Sequence, residues 1–205
     1  MEDQTNEEAR PEEAPIDEAN NKETMSAGDV PRIYVASLSD YNAGRLHGAW
    51  IDAAQDDDDL QSDIDQMLAD SPEPIAEEWA IRDYENFGDL RLGEYESLGL
   101  VSRIARGIVE YGPAFAAWVD VVDRDDERLD QFEEAYHGEW DSMEQFAESL
   151  IDDLGLLRDL DDIIPETLRG YVDVDFDALG RDLELSGDYD SRGTPNGSVW
   201  VFYAL

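Results

Sequence analysis

One window of this chain is electrically neutral. Residues 99–122 hold two acids and two bases, while residues 1–30 carry net −8, 31–98 net −13 and 123–205 net −18. The 205-residue chain totals −39, from 53 Asp and Glu against 14 Lys and Arg. Burying an unpaired charge is costly, so such a chain can fold only with its carboxylates outward. Apolar residues make up 41%, enough for a core of modest size.

The same charge limits partners. Phosphates would be repelled, so neither a nucleic-acid backbone nor an anionic membrane surface is an expected partner. Basic proteins and cations are compatible with the field. Cysteine is absent, which removes disulfides, thiolate nucleophiles and Cys-based metal sites. The longest apolar stretch, near 112–122, is interrupted by Asp120 and is too short to span a membrane. No basic start followed by an apolar run opens the chain, so no export signal is expected and the cytoplasm is the expected compartment. Lys22 is the single lysine, and Asp outnumbers Glu by 31 to 22. Both a surface built for acidity and adaptation to high salt fit that composition.

Residues 1–30 contain no aromatic residue and few, aperiodic apolar ones, so a disordered acidic tail is expected there. IYVASL at 33–38, RLHGAWIDA at 45–53 (with Leu46, Trp50 and Ile51) and EEWAIRDYENF at 77–87 read as strands. Between the last two, 56–70 places Leu60, Ile64, Met67 and Leu68 at helical spacing behind an acidic first turn. The result is a β-β-α-β unit, a small antiparallel sheet with one helix. Leu98, Val101, Ala105, Ile108 and Val109 predict a helix that Gly112-Pro113 ends, and 114–122 predicts a second. Asp125–Tyr136 reads as a third, with Leu129, Phe132 and Tyr136 inside. Ser142–Leu154 reads as a fourth. Met143, Phe146, Leu150, Ile151 and Leu154 share one face, Asp141 and Glu144 could form a capping box, and Gly155 suits the stop. Asp175–Leu185 is expected to be helical. SVWVFYAL at 198–205 is a terminal strand, with partners from 137–142 and 188–192. The expectation from these patterns is an α+β chain: 31–91 (sheet plus helix), 92–124 (helical) and 125–205 (mixed, with a short antiparallel sheet).

Site chemistry of the usual kinds is thin. His47 and His137 are isolated, with no second histidine at ligand spacing. Residues 173–184 carry acids at positions 1, 3, 5 and 12 of a calcium loop, but Ala178 stands where the turn needs glycine. A strand running into a helix with an acidic first turn explains them as well. No phosphate-binding glycine loop appears. Arg103 and Arg106, three apart on an apolar helix, are expected to pair with nearby acids.

A large acidic surface can itself be the functional element. Duplex DNA carries one charge per ~1.7 Å of axis, so the −31 of residues 31–205 matches the phosphates of roughly 15 base pairs. Acids at i, i+4 on a helix lie about 6 Å apart along its axis, near the axial spacing of alternate phosphates on one strand. Imitation of DNA is physically possible, and so is salt adaptation.

PRIYVASLSDYNAGRLHGAWIDA at 31–53, EEWAIRDYENFG at 77–88, YESLGLVSRIARGIVEYGPAFAAWVDVV at 95–122 and GSVWVFYAL at 197–205 resemble, in order, segments of the ArdA family of antirestriction proteins. DERLDQFEEAYHG at 126–138 is similar to that family's antirestriction motif, which would place Asp126, Leu129, Phe132, Glu133, Glu134, Ala135, Tyr136 and Gly138 in it. The acidic tail departs from the family pattern. The resemblance implies an elongated fold of three small subdomains and a homodimer joined through its C-terminal region, with no catalysis and no cofactor. It implies occupation of the DNA-binding groove of a type I restriction–modification enzyme, in protection of incoming mobile DNA. The expected mimic surface comprises Asp56, Asp57, Asp58, Asp59 and Asp63; Asp125, Asp126, Glu127, Asp130, Glu133 and Glu134; and Glu144, Glu148, Asp152 and Asp153. The competing readings are a salt-adapted cytoplasmic protein and a calcium-binding module.

Overall fold

The computed structural model describes residues 29–204. The expected tail thus lies almost wholly outside the described residues. The fold is α+β, with nine α-helices and two three-stranded antiparallel sheets among those residues.

The first sheet has the order β2-β1-β3, from β1 (Arg32–Ser37), β2 (Gly48–Asp52) and β3 (Trp79–Glu85). Ile33 and Val35 alternate with half-buried Tyr34, so the strand's period of two sends the aliphatic residues to one face. That face meets α2 (Asp57–Ala69), whose buried Leu60, Ile64 and Met67 recur at steps of four and three. The expected β-β-α-β unit is present. Two details differ. Residues 45–47 precede β2 and Leu46 is exposed, because the chain first turns through a short helix, α1 (Leu38–Asn42), that the sequence pattern does not announce. Buried Asp40 anchors that turn. Its carboxylate accepts from Ser71 Oγ at 2.5 Å and from Arg45 Nε at 3.3 Å.

The neutral window forms α3 (Leu98–Tyr111) and α4 (Pro113–Val121). Gly112, at φ 79°, makes the break, and Pro113 takes the first helical position, where its missing N–H costs nothing. Gly107 lets the helices close, since a Cβ there would run into the Phe115 ring. Val101, Ile104, Ala105 and Ile108 are buried, whereas Val109 is exposed. Trp118 is fully buried and its Nε1–H donates to the Arg128 carbonyl at 3.2 Å.

The expected helix over 125–136 is instead two single turns, α5 (Asp126–Leu129) and α6 (Phe132–Ala135), and Tyr136 opens β4 (Tyr136–Trp140). Long-range pairing overrides the helical period here. Tyr136 pairs with Phe202 in the second sheet, and its ring packs 5.0 Å from that of Phe132. That sheet has the order β4-β6-β5, with β5 at Tyr189–Gly193 and β6 at Val199–Tyr203. Gly138, at φ 99°, sits in the irregular register between Tyr136 and Glu139, a conformation that disfavours side chains.

α7 (Met143–Asp153), α8 (Leu156–Ile163) and α9 (Phe176–Ser186) complete the chain, with a 3-10 turn at Arg169–Tyr171. Ser142, not Asp141, caps α7. Its Oγ accepts from Gln145 N–H at 3.2 Å, and Gln145 Oε1 accepts from Asp141 N–H at 2.9 Å. The cap therefore lies one residue on from Asp141, and the return bond comes from Gln145 rather than Glu144. Phe146 and Ala147 are buried, but Leu154 is exposed, so the inner stripe is shorter than its periodicity suggests.

Candidate functional site: the acidic surface

All fifteen carboxylates expected on the acidic surface are exposed. They fall into three groups on three different supports.

Asp56, Asp57, Asp58, Asp59 and Asp63 stand at the start of α2. Acids there meet the positive end of the helix dipole, while Leu60 and Ile64 hold the opposite face in the core. Asp63 accepts from Gln55 Nε2 at 2.8 Å. Asp56 accepts from Arg106 Nη1 at 2.6 Å.

The second group is the motif-like stretch. Asp125 caps α5 by accepting from Glu127 N–H at 3.0 Å. Asp126 and Asp130 share Arg103, at 2.5 and 2.7 Å from its two terminal nitrogens. Glu133 accepts from the Tyr111 hydroxyl at 3.1 Å. Burial, and then that hydrogen bond to a carboxylate, raise the Tyr111 phenol above its ordinary value, so it stays a donor. Glu127 and Glu134 are exposed. Underneath, Leu129, Phe132 and Ala135 are buried. Tyr136 lies half-buried, its phenol pushed up to about 12, first by burial and then by Glu139. The motif residues thus divide: Leu129, Phe132, Ala135, Tyr136 and Gly138 build the fold, and the acids between them face water.

Glu144, Glu148, Asp152 and Asp153 form the third group, on the outer side of α7. The first three recur at i, i+4. Gly180 of α9 seats this helix, since a Cβ there would fall 2.7 Å from the Met143 carbonyl oxygen.

Arg103 and Arg106 therefore do pair with acids, Asp126 and Asp130 for one and Asp56 for the other. The remaining twelve carboxylates of the fifteen have no arginine or lysine partner among the described residues. Exposed pairs of this kind hold side chains in place more than they add stability.

The other candidates occupy structural roles. Asp175 caps α9, accepting from Ala178 N–H at 2.9 Å, and Asp177 pairs with Arg181. His47 Nε2 lies 2.7 Å from the Met67 carbonyl oxygen, and His137 packs edge-on to Phe146 and Tyr189. No group of three or more His, Asp or Glu is close enough to hold a metal ion among the described residues. No helix among them is long and apolar enough to cross a membrane. Asp120, which marks only a break in the apolar stretch of the sequence, is exposed at the end of α4 and 3.6 Å from Arg192. It stands at the edge of the neutral window, where periodicity marks only the core.

The comparison with curated proteins returns no match. Among protein families, the model described as antirestriction protein (ArdA) matches residues 33–196, which include all three acidic groups and the first sheet from Ile33 on, and end before β6. A match over that much of the chain makes it a member of the ArdA antirestriction family.

Proposed function

We propose that this protein inhibits type I restriction–modification enzymes by occupying their DNA-binding groove as a homodimer and a mimic of duplex DNA. The observation that carries the reading is the set of fifteen exposed carboxylates fixed to α2, the α5–α6 turns and α7, twelve without a cationic partner among the described residues. A groove that binds DNA presents lysine and arginine to phosphates, and here those cations would meet Asp and Glu. No bond is made or broken; the mechanism is competition, with the acidic field speeding encounter. In the proposed division of labour, 31–91 and 125–205 carry the acidic groups, and 92–124, which contains the neutral window 99–122, is the spacer between them. The setting is the cytoplasm of a cell receiving mobile DNA.

The test is displacement of a labelled duplex from a purified type I enzyme. Displacement should be complete at excess protein in low salt and should weaken as salt screens the pairing. Undiminished DNA binding at excess protein and low salt would refute the proposal.

A further inference from the structure

A cavity of about 690 Å³ opens between the loop before β3 and the start of α3. Its apolar lining includes Trp79 and Tyr95 with Leu38 and Leu98, and Glu77 and Glu78 stand beside them. Tyr95 is 72% exposed, so its ring is open to a partner. Glu77 and Glu78 have no cationic partner there either. Glu96, also at the cavity, is already held by Arg124 at 2.6 Å. No basic residue lines the space.

We propose that this cavity is an anchor site for an arginine side chain of the protein partner. The guanidinium is flat, weakly hydrated and edged with donors, so it lies well against Trp or Tyr rings while bonding carboxylates at its edge. An ammonium is more strongly hydrated and loses more on leaving water. The molecule uses the same chemistry internally, with Arg32 5.5 Å from the Trp50 ring centre and Arg82 4.9 Å from that of Tyr41. The cavity lining offers the same two kinds of group, aromatic rings and carboxylates. The α3 N-terminus borders the space, and its roughly +0.5 charge would favour an anion, but two full carboxylates outweigh it. The inference rests on the reading that the partner is a cation-bearing protein. It adds one localised contact to a surface otherwise made of dispersed charge.

Two measurements on the full chain test it. In the first, a blocked Gly-Arg-Gly peptide is titrated and followed by NMR signals of Tyr95 and the tryptophan indoles. Saturable shifts with arginine, weaker ones with the lysine peptide and none with the citrulline peptide are expected. Tyr95→Ala and Glu78→Gln, both exposed positions, should weaken binding about two- to fivefold, while Glu144→Gln should not. Equal response to arginine and lysine, insensitive to Tyr95→Ala, would overturn the anchor and leave only general charge attraction. In the second, Tyr95→Ala should raise the concentration needed to displace DNA from the enzyme by about the same factor, although it changes no charge. Unchanged displacement by a folded Tyr95→Ala protein would also overturn the anchor. Failure of the unsubstituted protein to displace DNA would instead refute the proposed function, and the peptide titration would still decide the cavity.

Discussion

The two sheets share a plan and differ in what covers them. Each has three antiparallel strands. The first turns Ile33 and Val35 into the main core, and its other face carries half-buried Tyr34 and Trp50, 5.5 Å apart, with Arg32 over Trp50. The second is covered on both sides. Trp200 and Phe202 join the main core, where Phe202 lies 5.6 Å from Trp118. On the opposite side Tyr189 meets Phe146 at 5.0 Å and Tyr203 at 5.5 Å. That second layer is thin: within α7, α8 and α9, only Phe146, Ala147 and Gly180 are buried among the described side chains. The α7 acids thus ride on a layer with few buried side chains, whereas the α2 acids ride on the main core.

The comparison predicts unequal responses to damage. Trp118→Ala empties volume at the point where α4 meets the second sheet. It should cost about 3–5 kcal/mol and abolish activity by unfolding both regions together, as calorimetry would reveal. Survival of a folded first sheet in that variant would mean that the two regions are separate folding units.

Gly180→Ala strikes only the thin layer. Its Cβ meets backbone, which cannot swing aside, so a loss of about 1–3 kcal/mol is expected. Hydrogen exchange should quicken in α7 and α9 while β1 and α2 keep their protection. Uniform loosening would show that the layer is not an independent weak point.

Acid should act through Asp40, on the first-sheet side. The Ser71 hydroxyl, ahead of Ser37 and Arg45, holds its carboxyl below the ordinary 3.8. Its contribution to stability is complete above that value and is lost as pH falls through the lower folded-state one. Asp40→Asn should therefore flatten the acid limb of a stability–pH curve below about pH 4. An unchanged limb would assign acid sensitivity elsewhere.

Single neutralisations should matter least. Asp126→Asn, Glu133→Gln or Asp152→Asn should each change inhibition by less than about fivefold, with a progressive loss as more acids on one support are replaced. Comparing complete sets on α2 and on α7 then asks which support bears more of the binding. Abolition by one exposed amide in a folded protein would replace distributed charge with a localised site.

Much of this was legible in the residues alone. Strong periodicity specified β1, α2, α3, α4 and the terminal strand, because each buries a regular stripe in its own segment. Exposure of the carboxylates followed from the cost of burying them, and the ordered blocks of similarity identified the family. Contacts between distant segments decided the rest. Tyr136 left a helical pattern for a strand because Phe202, far along the chain, offered backbone pairing and an aromatic wall. Leu154 continues α7's apolar period yet is exposed, since periodicity marks a face without supplying something to cover it. Arg103 reaches Asp126 and Asp130 only because α5 folds back onto α3. The cavity joins Leu38, Trp79 and the Tyr95–Leu98 stretch, and no local pattern brings those three segments together. Local spacing records what a segment can bury, and the tertiary structure decides which partner it meets.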